Sequence, residues 1–393
     1  MRTVEIGDMP VGDGHPPRVM GVLNMSVESN YDPSVHGGVS EAVRHVEEEM
    51  VPEGADIIDI GLQSANPKND WLPEEVERDR LAKALAVVDE VDADVAFSIE
   101  TRYAGVAEEA IQGGFDLVND VCGFADPEMP KVCEEYDVPV VKMASPPDIK
   151  KPGHLKSIDD IFEALERGGF TDKTIIDPAF GGWYDERTYE DNWEMFRRLR
   201  EFRAFGRPIL TATNREDFLG DLAGRPETED QLPVSLAAAT MEVERGAHII
   251  RTHDVAATKD VVQVAHALGD ERSIRDDEPR VVELRNVSER ELGRTLSLRE
   301  NATGREPSST LCFQVDGLDE ATEAALRTWA DRHSLALAID PGADALLVGT
   351  TGELRDAVAD ADADGGVDDR DREPLAPILE TVRSALDRRG SAD

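Results

Sequence analysis

Eight short, β-rich apolar runs alternate with segments of helical periodicity along the first 270 residues, and this alternation limits the folds open to the chain. The runs are Val19–Leu23, Ile57–Ile60, Val95–Ile99, Leu117–Asn119, Val138–Met143, Thr174–Ile176, Ile209–Ala212 and His248–Thr252. Helical patterns follow them at Glu41–Val51, Pro73–Val91, Tyr103–Gln112, Asn192–Phe205, Val234–Arg245 and Ala257–Leu268. Strands that alternate with helices imply parallel βαβ units. Eight such units close naturally into a (β/α)8 TIM barrel, which uses about 250 residues. A doubly wound open sheet is the architecture that counting alone leaves beside it. Gly54-Ala55, Gly113-Gly114, Gly168-Gly169 and Gly246-Ala247 precede strands and read as helix stops, which supports a repeated αβ unit.

The pattern changes after Gly269. Residues 270–279 read as an acidic linker, and a smaller C-terminal α/β unit follows. It has strands at Val281–Leu284, Leu311–Val315 and Ala345–Val348. Its helices lie near Glu289–Leu296, at Asp319–His333 and from about Gly352, with a last one over Leu375–Asp387. Residues 359–373, rich in Asp and Gly, read as a flexible spacer. The expected division is therefore a barrel over 1–270 and a small unit of unassigned role over 271–393. Gly349-Thr-Thr-Gly352 resembles a strand-to-helix anion loop but is too short and common to carry a role.

In a parallel barrel, functional groups gather at the C-terminal ends of the strands. Here those ends carry Asn24, Glu100, Asn119-Asp120, Asp177, and Arg251 with His253 and Asp254. A polar strand end can simply cap the next helix, but a whole set converging on one mouth points to a site. Arg251 and His253 share strand parity and face the same side, which makes an anion site. Met25, Met143, Phe97 and Phe180 read first as packing residues, with Met143 kept among the substrate contacts. Trp183 and Tyr184 follow the sixth strand and either line the mouth or lie in a surface loop. His36, His45, His154 and His266 lack partners at ligand spacing.

The formal charge of −41, from 83 acidic and 42 basic residues, excludes nucleic acid and anionic membranes as non-specific partners. Molar salt shortens the Debye length to about 3 Å, so the acidic coat reads as adaptation to high salt. Three cysteines without a CxxC pair argue against a disulfide framework or a structural zinc site. The absence of an apolar signal core in residues 1–17, and of any apolar run of about 18 residues, points to a cytoplasmic protein.

Six segments in order resemble the signatures of the dihydropteroate synthase family. They are Met20-Gly-Val-Leu-Asn-Met-Ser-Val-Glu-Ser-Asn-Tyr-Asp32, Gly54-Ala-Asp-Ile-Ile-Asp-Ile-Gly61, Phe97-Ser-Ile-Glu-Thr101, Leu117-Val-Asn-Asp120, Ile175-Ile-Asp-Pro178 and Gly246-Ala-His-Ile-Ile-Arg-Thr-His-Asp-Val255. The resemblance covers residues 18–268. It implies a transferase of folate biosynthesis that joins p-aminobenzoate, or a related aniline, to 6-hydroxymethyl-7,8-dihydropterin pyrophosphate and releases pyrophosphate. Asp177, Asn119 and Glu100 would hold the pterin, whose aminopyrimidinone edge demands acids and amides at fixed places. Asn24, Arg251 and His253 would hold the pyrophosphate, with Asn24 beside a Mg²⁺. Asp177, Arg251 and His253 would carry the catalysis. Barrels of this family imply a homodimer.

Departures from the family pattern fall near the expected site. Asn66 stands where a loop Arg is usual, Glu216 where a pterin-contacting Lys is usual, Asp217 where a Ser is usual, and Glu100 where an Asp is usual. Arg215 and Glu216 occupy a substrate-contact segment. Arg215, swinging in, or Lys142 on the fifth strand would replace the lost cation, although a snorkelling strand residue is the ordinary reading of Lys142. The same barrel also admits a pterin-dependent methyltransferase or a non-catalytic pterin-binding protein.

Overall fold

The computed structural model describes residues 2–26, 35–64, 69, 71–269, 274–275, 281–282, 287–298, 308–316, 318–339, 344–362 and 369–390. The chain divides into two compact units, Met1–Arg285 and Asn286–Asp393. The sequence put the boundary at 270. Between the two positions lies an antiparallel pair, β11 (Ile274–Arg275) and β12 (Val281–Val282).

The first unit opens with an antiparallel hairpin, β1 (Val4–Ile6) and β2 (Met9–Val11). Eight parallel strands follow: β3 (Arg18–Asn24), β4 (Ile57–Gly61), β5 (Ala96–Thr101), β6 (Leu117–Asp120), β7 (Val140–Met143), β8 (Thr174–Asp177), β9 (Leu210–Thr211) and β10 (Ile249–Thr252). Their order in the sheet is β8-β7-β6-β5-β4-β3-β10-β9. A parallel bridge between Ile176 and Ile209 joins the outer two strands, so the sheet closes on itself. This is the expected (β/α)8 barrel.

β9 is short because Pro208 precedes it without an N–H. Its carbonyl accepts from Ile176 N at 2.9 Å, while Ile209 N donates to the His248 imidazole Nδ1 at 3.2 Å. A side chain thus completes part of the ladder at the barrel seam.

The helices that cover the outer face of the barrel include α1 (Val39–His45), α2 (Glu74–Glu90), α3 (Ala104–Gln112), α4 (Met129–Glu135), α5 (Ile158–Glu166), α6 (Tyr189–Arg197), α7 (Asp217–Leu222), α8 (Leu232–Glu244) and α9 (Val255–Ala267). The helix read as Glu41–Val51 is α-helical only to His45 and continues as a π turn over Val46–Met50. That wider turn seats the Met50 methyl against Gly21, where a Cβ would lie 2.6 Å away. Helix α6 starts earlier than read because Thr188 and Asp191 form a reciprocal cap, and it gives way to a 3-10 turn over Leu199–Phe205.

Strand alternation sorts the barrel interior into layers. The lowest inward layer is apolar: Met20, Ile57, Leu117, Val141, Ile175, Leu210 and Ile249. Val4, Ile6 and Val11 of the hairpin pack against it and close the barrel floor. Outward residues such as Val19, Ile58, Ile60, Ile99, Val118 and Val140 form a second core beneath the helices.

In the second unit, β13 (Thr310–Asp316), β15 (Asp344–Thr350) and β14 (Ala336–Ile339) form an antiparallel sheet in that order. Its helices are α10 (Glu289–Ser297), α11 (Glu320–Arg332), α12 (Thr351–Asp362) and α13 (Asp369–Gly390). Leu326, Trp329, Leu347, Leu354 and Val382 centre its own core. Strand β14 was absent from the sequence reading. The spacer read at 359–373 is helical up to Asp362 and again from Asp369. Thr351 and Ser309 N at the candidate anion loop both donate to the Glu289 carboxylate, so that loop is occupied internally.

Ile6 is buried within the floor plug. We expect Ile6→Ala to lower stability by about 2–4 kcal/mol, read as a lower urea midpoint, with little change in far-ultraviolet dichroism.

Candidate active site at the barrel mouth

The inward layer above the apolar floor is polar. Two residues beyond Ile57 comes Asp59, beyond Leu117 comes Asn119, beyond Ile175 comes Asp177, and beyond Ile249 comes Arg251. On β5 the inward series is Ala96, Ser98 and Glu100, since Ile57 pairs with Ala96 and Asp59 with Ser98. Val141 is followed by Met143. One parity rule therefore delivers a dry floor and a polar mouth from the same strands.

These side chains are tied together. Arg251 Nε donates to Asp59 Oδ2 at 2.7 Å, and Arg251 Nη2 donates to Glu100 Oε2 at 2.5 Å. Asn119 Nδ2 donates to Asp59 Oδ2 at 3.1 Å, and Ser98 Oγ to Asp59 Oδ1 at 2.7 Å. Asp59 is thus the hub of the layer, joining β5, β6 and β10. Asp177 Oδ1 accepts from Ala179 N at 2.7 Å, which fixes that carboxylate at the β8 end.

The electrostatics follow from burial around this hub. Burial works against the Arg251 cation, but Asp59 and Glu100 more than offset it and hold the guanidinium charged. Burial raises the Glu100 carboxyl to about 7 against the pull of Arg251. Burial likewise raises Asp177 to about 6, against the Ala179 N–H. His253 is pushed down to about 3 by burial and by Arg251, so its imidazole is neutral near pH 7. It can offer an N–H but adds no charge to an anion site.

Asn24 sits at the top of β3, with its side-chain oxygen over Gly61, where a Cβ would stand 3.1 Å away. A bare backbone at the end of β4 keeps that oxygen accessible. Met143 faces inward, buried with Phe180 and Ala144, so it walls the site as an apolar contact. Phe97 faces outward into the helix-covered core.

Both candidate replacement cations are engaged elsewhere. Lys142 alternates with Met143 and faces outward, fully buried. Its ammonium donates to the carbonyls of Leu165, Arg167 and Gly169 at 2.8, 2.6 and 2.8 Å, and lies over the Phe124 and Phe170 rings. It thereby closes the C-terminal end of α5 and cannot reach the mouth. Arg215, at φ 56°, pairs with both oxygens of Asp254 at 2.8 and 2.9 Å and donates to Thr228 O. Asn214 completes this clasp, donating to Asp254 Oδ2 and accepting from His253 N. Arg215 therefore braces the β9 and β10 ends and does not swing inward.

The cation near Glu216 is Arg187, which the sequence reading passed over. It is buried between β8 and α6, donating to Ala179 O at 2.7 Å and to Met195 Sδ at 2.9 Å. Its charge acts on Asp177 and Glu216. Asp217 is exposed and accepts from Gln231 Nε2 at 3.2 Å. Trp183 donates to Phe180 O and packs over Gly153, tying the loop after β8 to the loop after β7. Asn66 lies outside the described residues. Among the described residues, no group of three or more His, Cys, Asp or Glu side chains is placed to hold a metal ion. No helix among them is long and apolar enough to cross a membrane.

Asp59 and Arg187 are the site residues that motif reading missed. Asp59 had a signal: a lone carboxylate inside the buried run Ile57–Ile60 needs a partner. Arg187 had none, because it lies in a loop whose path only the fold sets.

A closed parallel barrel that gathers acids, an amide and an arginine at the C-terminal strand ends has the layout of a barrel enzyme with its active site at that mouth. The sequence profile described as "Pterin binding enzyme" matches residues 20–253. The chain belongs to this pterin-binding enzyme family and, within it, to the dihydropteroate synthases, transferases of folate synthesis. It is 33% identical over 259 residues to the dihydropteroate synthase of Clostridium beijerinckii, covering 64% of this chain and 94% of that one. It is 34% identical over 268 residues to a probable bifunctional folylpolyglutamate synthase/dihydropteroate synthase of Halobacterium salinarum, covering 65% of this chain but only 32% of that longer protein. A dihydropteroate synthase from Coxiella burnetii, solved in complex with pteroic acid, superposes with a TM-score of 0.57 at 29% identity, covering 68% of this chain and 98% of that one.

We expect Lys142→Met to strand three carbonyls and cost about 1–3 kcal/mol of stability, measured by thermal unfolding, while pterin affinity stays within twofold. Asp59→Ala should instead weaken pterin affinity by tenfold or more, because Asn119 loses its anchor beside the pterin site; calorimetric titration checks it.

Proposed function

We propose that the barrel joins 6-hydroxymethyl-7,8-dihydropterin pyrophosphate to p-aminobenzoate and releases pyrophosphate. The observation that carries this reading is the tied inward layer of Asp59, Glu100, Asn119 and Arg251, with Asp177 held separately by Ala179 N, above an apolar floor. The two oxygens of Asp177, of which Oδ1 also accepts from Ala179 N, can take one N–H each from the pterin ring nitrogen and its exocyclic amine. The Asn119 side-chain oxygen offers a further acceptor beside it.

Arg251 gives two of its N–H groups to Asp59 and Glu100. A guanidinium carries five, so three are left for the oxygens of the pyrophosphate. The neutral His253 imidazole adds a donor. As the methylene–oxygen bond breaks, its electron pair leaves with the pyrophosphate, and charge grows where these donors are aimed. The p-aminobenzoate amine then attacks the methylene carbon and loses a proton, with no covalent bond to the protein.

The donor set also fits a Mg²⁺ carried by the pyrophosphate. Asn24 presents one oxygen over bare Gly61, and Mg²⁺ bound through substrate phosphates takes few protein ligands. Such an ion would offset the charge of the leaving group. The surface charge of −41 supports a working environment of high salt, and a cytoplasmic homodimer remains part of this proposal.

The test is pyrophosphate release in molar KCl with Mg²⁺, the dihydropterin pyrophosphate and p-aminobenzoate. Release should depend on p-aminobenzoate and fall at least a hundredfold in Arg251→Ala. Asp177→Asn should bind dihydropterin about ten- to a hundredfold more weakly. Because the Asp177 carboxylate must be ionised to accept, dihydropterin affinity should decline as pH falls below about 6. Pterin binding without pyrophosphate release, in a folded protein, would favour a methyltransferase or a non-catalytic binder.

A further inference from the structure

Glu216 caps the N-terminus of α7, directly beyond the end of β9. Its carboxyl group lies over the bare Cα of Gly181 in the loop after β8. A Cβ built on Gly181 would stand 2.7 Å from both carboxyl oxygens. Gly181 adopts a left-handed φ of 109° and donates its N–H to Asn192 Oδ1 at 3.2 Å. The loop is therefore held so that backbone, and no side chain, underlies the acid. Among the described residues, the Glu216 carboxyl group has no hydrogen-bond partner.

The groups around it are known from each packed element. Arg187 and Tyr189 face it from the loop after β8 and the start of α6, and Asp217 and Asp221 belong to α7 itself. Arg215, next in the chain, is clasped by Asp254. Burial, with the neighbouring Asp217, raises the Glu216 carboxyl to about 8 against the pull of Arg187. Near neutral pH this group is an acid that still holds its proton.

Ring chemistry supplies the rest. On an aminopyrimidinone the carbonyl oxygen is adjacent to the ring N–H. When Asp177 accepts from that N–H and from the exocyclic amine, the carbonyl falls beside one of the two strands flanking β8. Strand β7 presents Met143, a thioether with no proton to give. On the other flank, beyond β9, stands Glu216, its carboxyl over Gly181 in the loop that continues from Asp177.

We propose that Glu216 recognises the pterin as a neutral carboxylic acid, donating its O–H to the ring carbonyl beside the N–H taken by Asp177. This rests on the pterin-binding reading above. A positively charged donor is then unnecessary at this position. Binding becomes sensitive to alkali, because the ionised carboxylate has no proton to give and repels the carbonyl oxygen. Asp177 must be ionised and Glu216 protonated, so the affinity for dihydropterin has an acid limb and an alkaline limb set by two different carboxyls.

The experiment is calorimetric titration of the full chain with 7,8-dihydropterin between pH 6 and 10, comparing wild type with Glu216→Gln. Both proteins meet the same ligand, so titration of the ligand cancels in the ratio of dissociation constants. Gln keeps a donor and cannot ionise. The wild type should weaken relative to Glu216→Gln as pH passes about 8, reaching about tenfold at pH 9. Glu216→Ala, checked for folding by thermal unfolding, should bind about tenfold more weakly even at pH 6. A ratio that stays flat from pH 6 to 10, or Glu216→Ala binding like wild type, overturns the role of Glu216 and leaves pterin binding standing. Failure of the wild type to bind at any pH overturns both.

Discussion

The ion pairs of Arg251 with Asp59 and Glu100 organise the centre of this barrel. A guanidinium crosses from β10 to β4 and β5, carboxylates meet it there, Asn119 shares Asp59 Oδ2 with it, and Ser98 donates to Asp59 Oδ1. Breaking such a buried network is costly because it leaves a charge without its partner. That cost fixes rotamers at the strand ends, and fixed rotamers give a site its shape before substrate arrives. The apolar floor and its hairpin plug make the network possible, since they exclude water from below and keep the interactions strong.

A second layer of polar contacts works outside the barrel and is separate from chemistry. Lys142 fills the end of α5 with its ammonium, and Arg215 clasps Asp254 across the β9 and β10 ends. Both are cations near the mouth in sequence terms, yet both serve the scaffold. The departure at Glu216 is consequently not repaired by moving a lysine or an arginine inward. The nearby cation is Arg187, buried in the loop after β8, while burial and the neighbouring Asp217 raise the Glu216 carboxyl against its pull.

Much of the fold was legible because period and length are local properties. The apolar runs at Ile57, Leu117, Thr174 and Ile249 match strands to within a residue or two, and glycine stops at Gly54 and Gly246 mark the helix ends. Short elements escaped. Strand β14 is an Ala-Leu-Ala-Ile segment of only four residues, too short for its period to stand out, and the π turn at Val46–Met50 depends on a notch at Gly21 that is distant in sequence. Helix α6 began early because a cap at Thr188 outweighed the hydrophobic pattern.

The sequence by itself determined the eightfold βα alternation, the polar strand ends, the family signatures and the parity that sets Asp177, Asn119, Glu100 and Arg251 on one side. These follow from residues within a few positions of one another. Tertiary structure alone decided which charges meet. Asp59 became the hub, Lys142 turned outward, Arg215 closed on Asp254, and Glu216 came to rest over Gly181. The physical reason is that a charge takes its role from its partners and its burial, and both are supplied by strands and loops far apart in the chain.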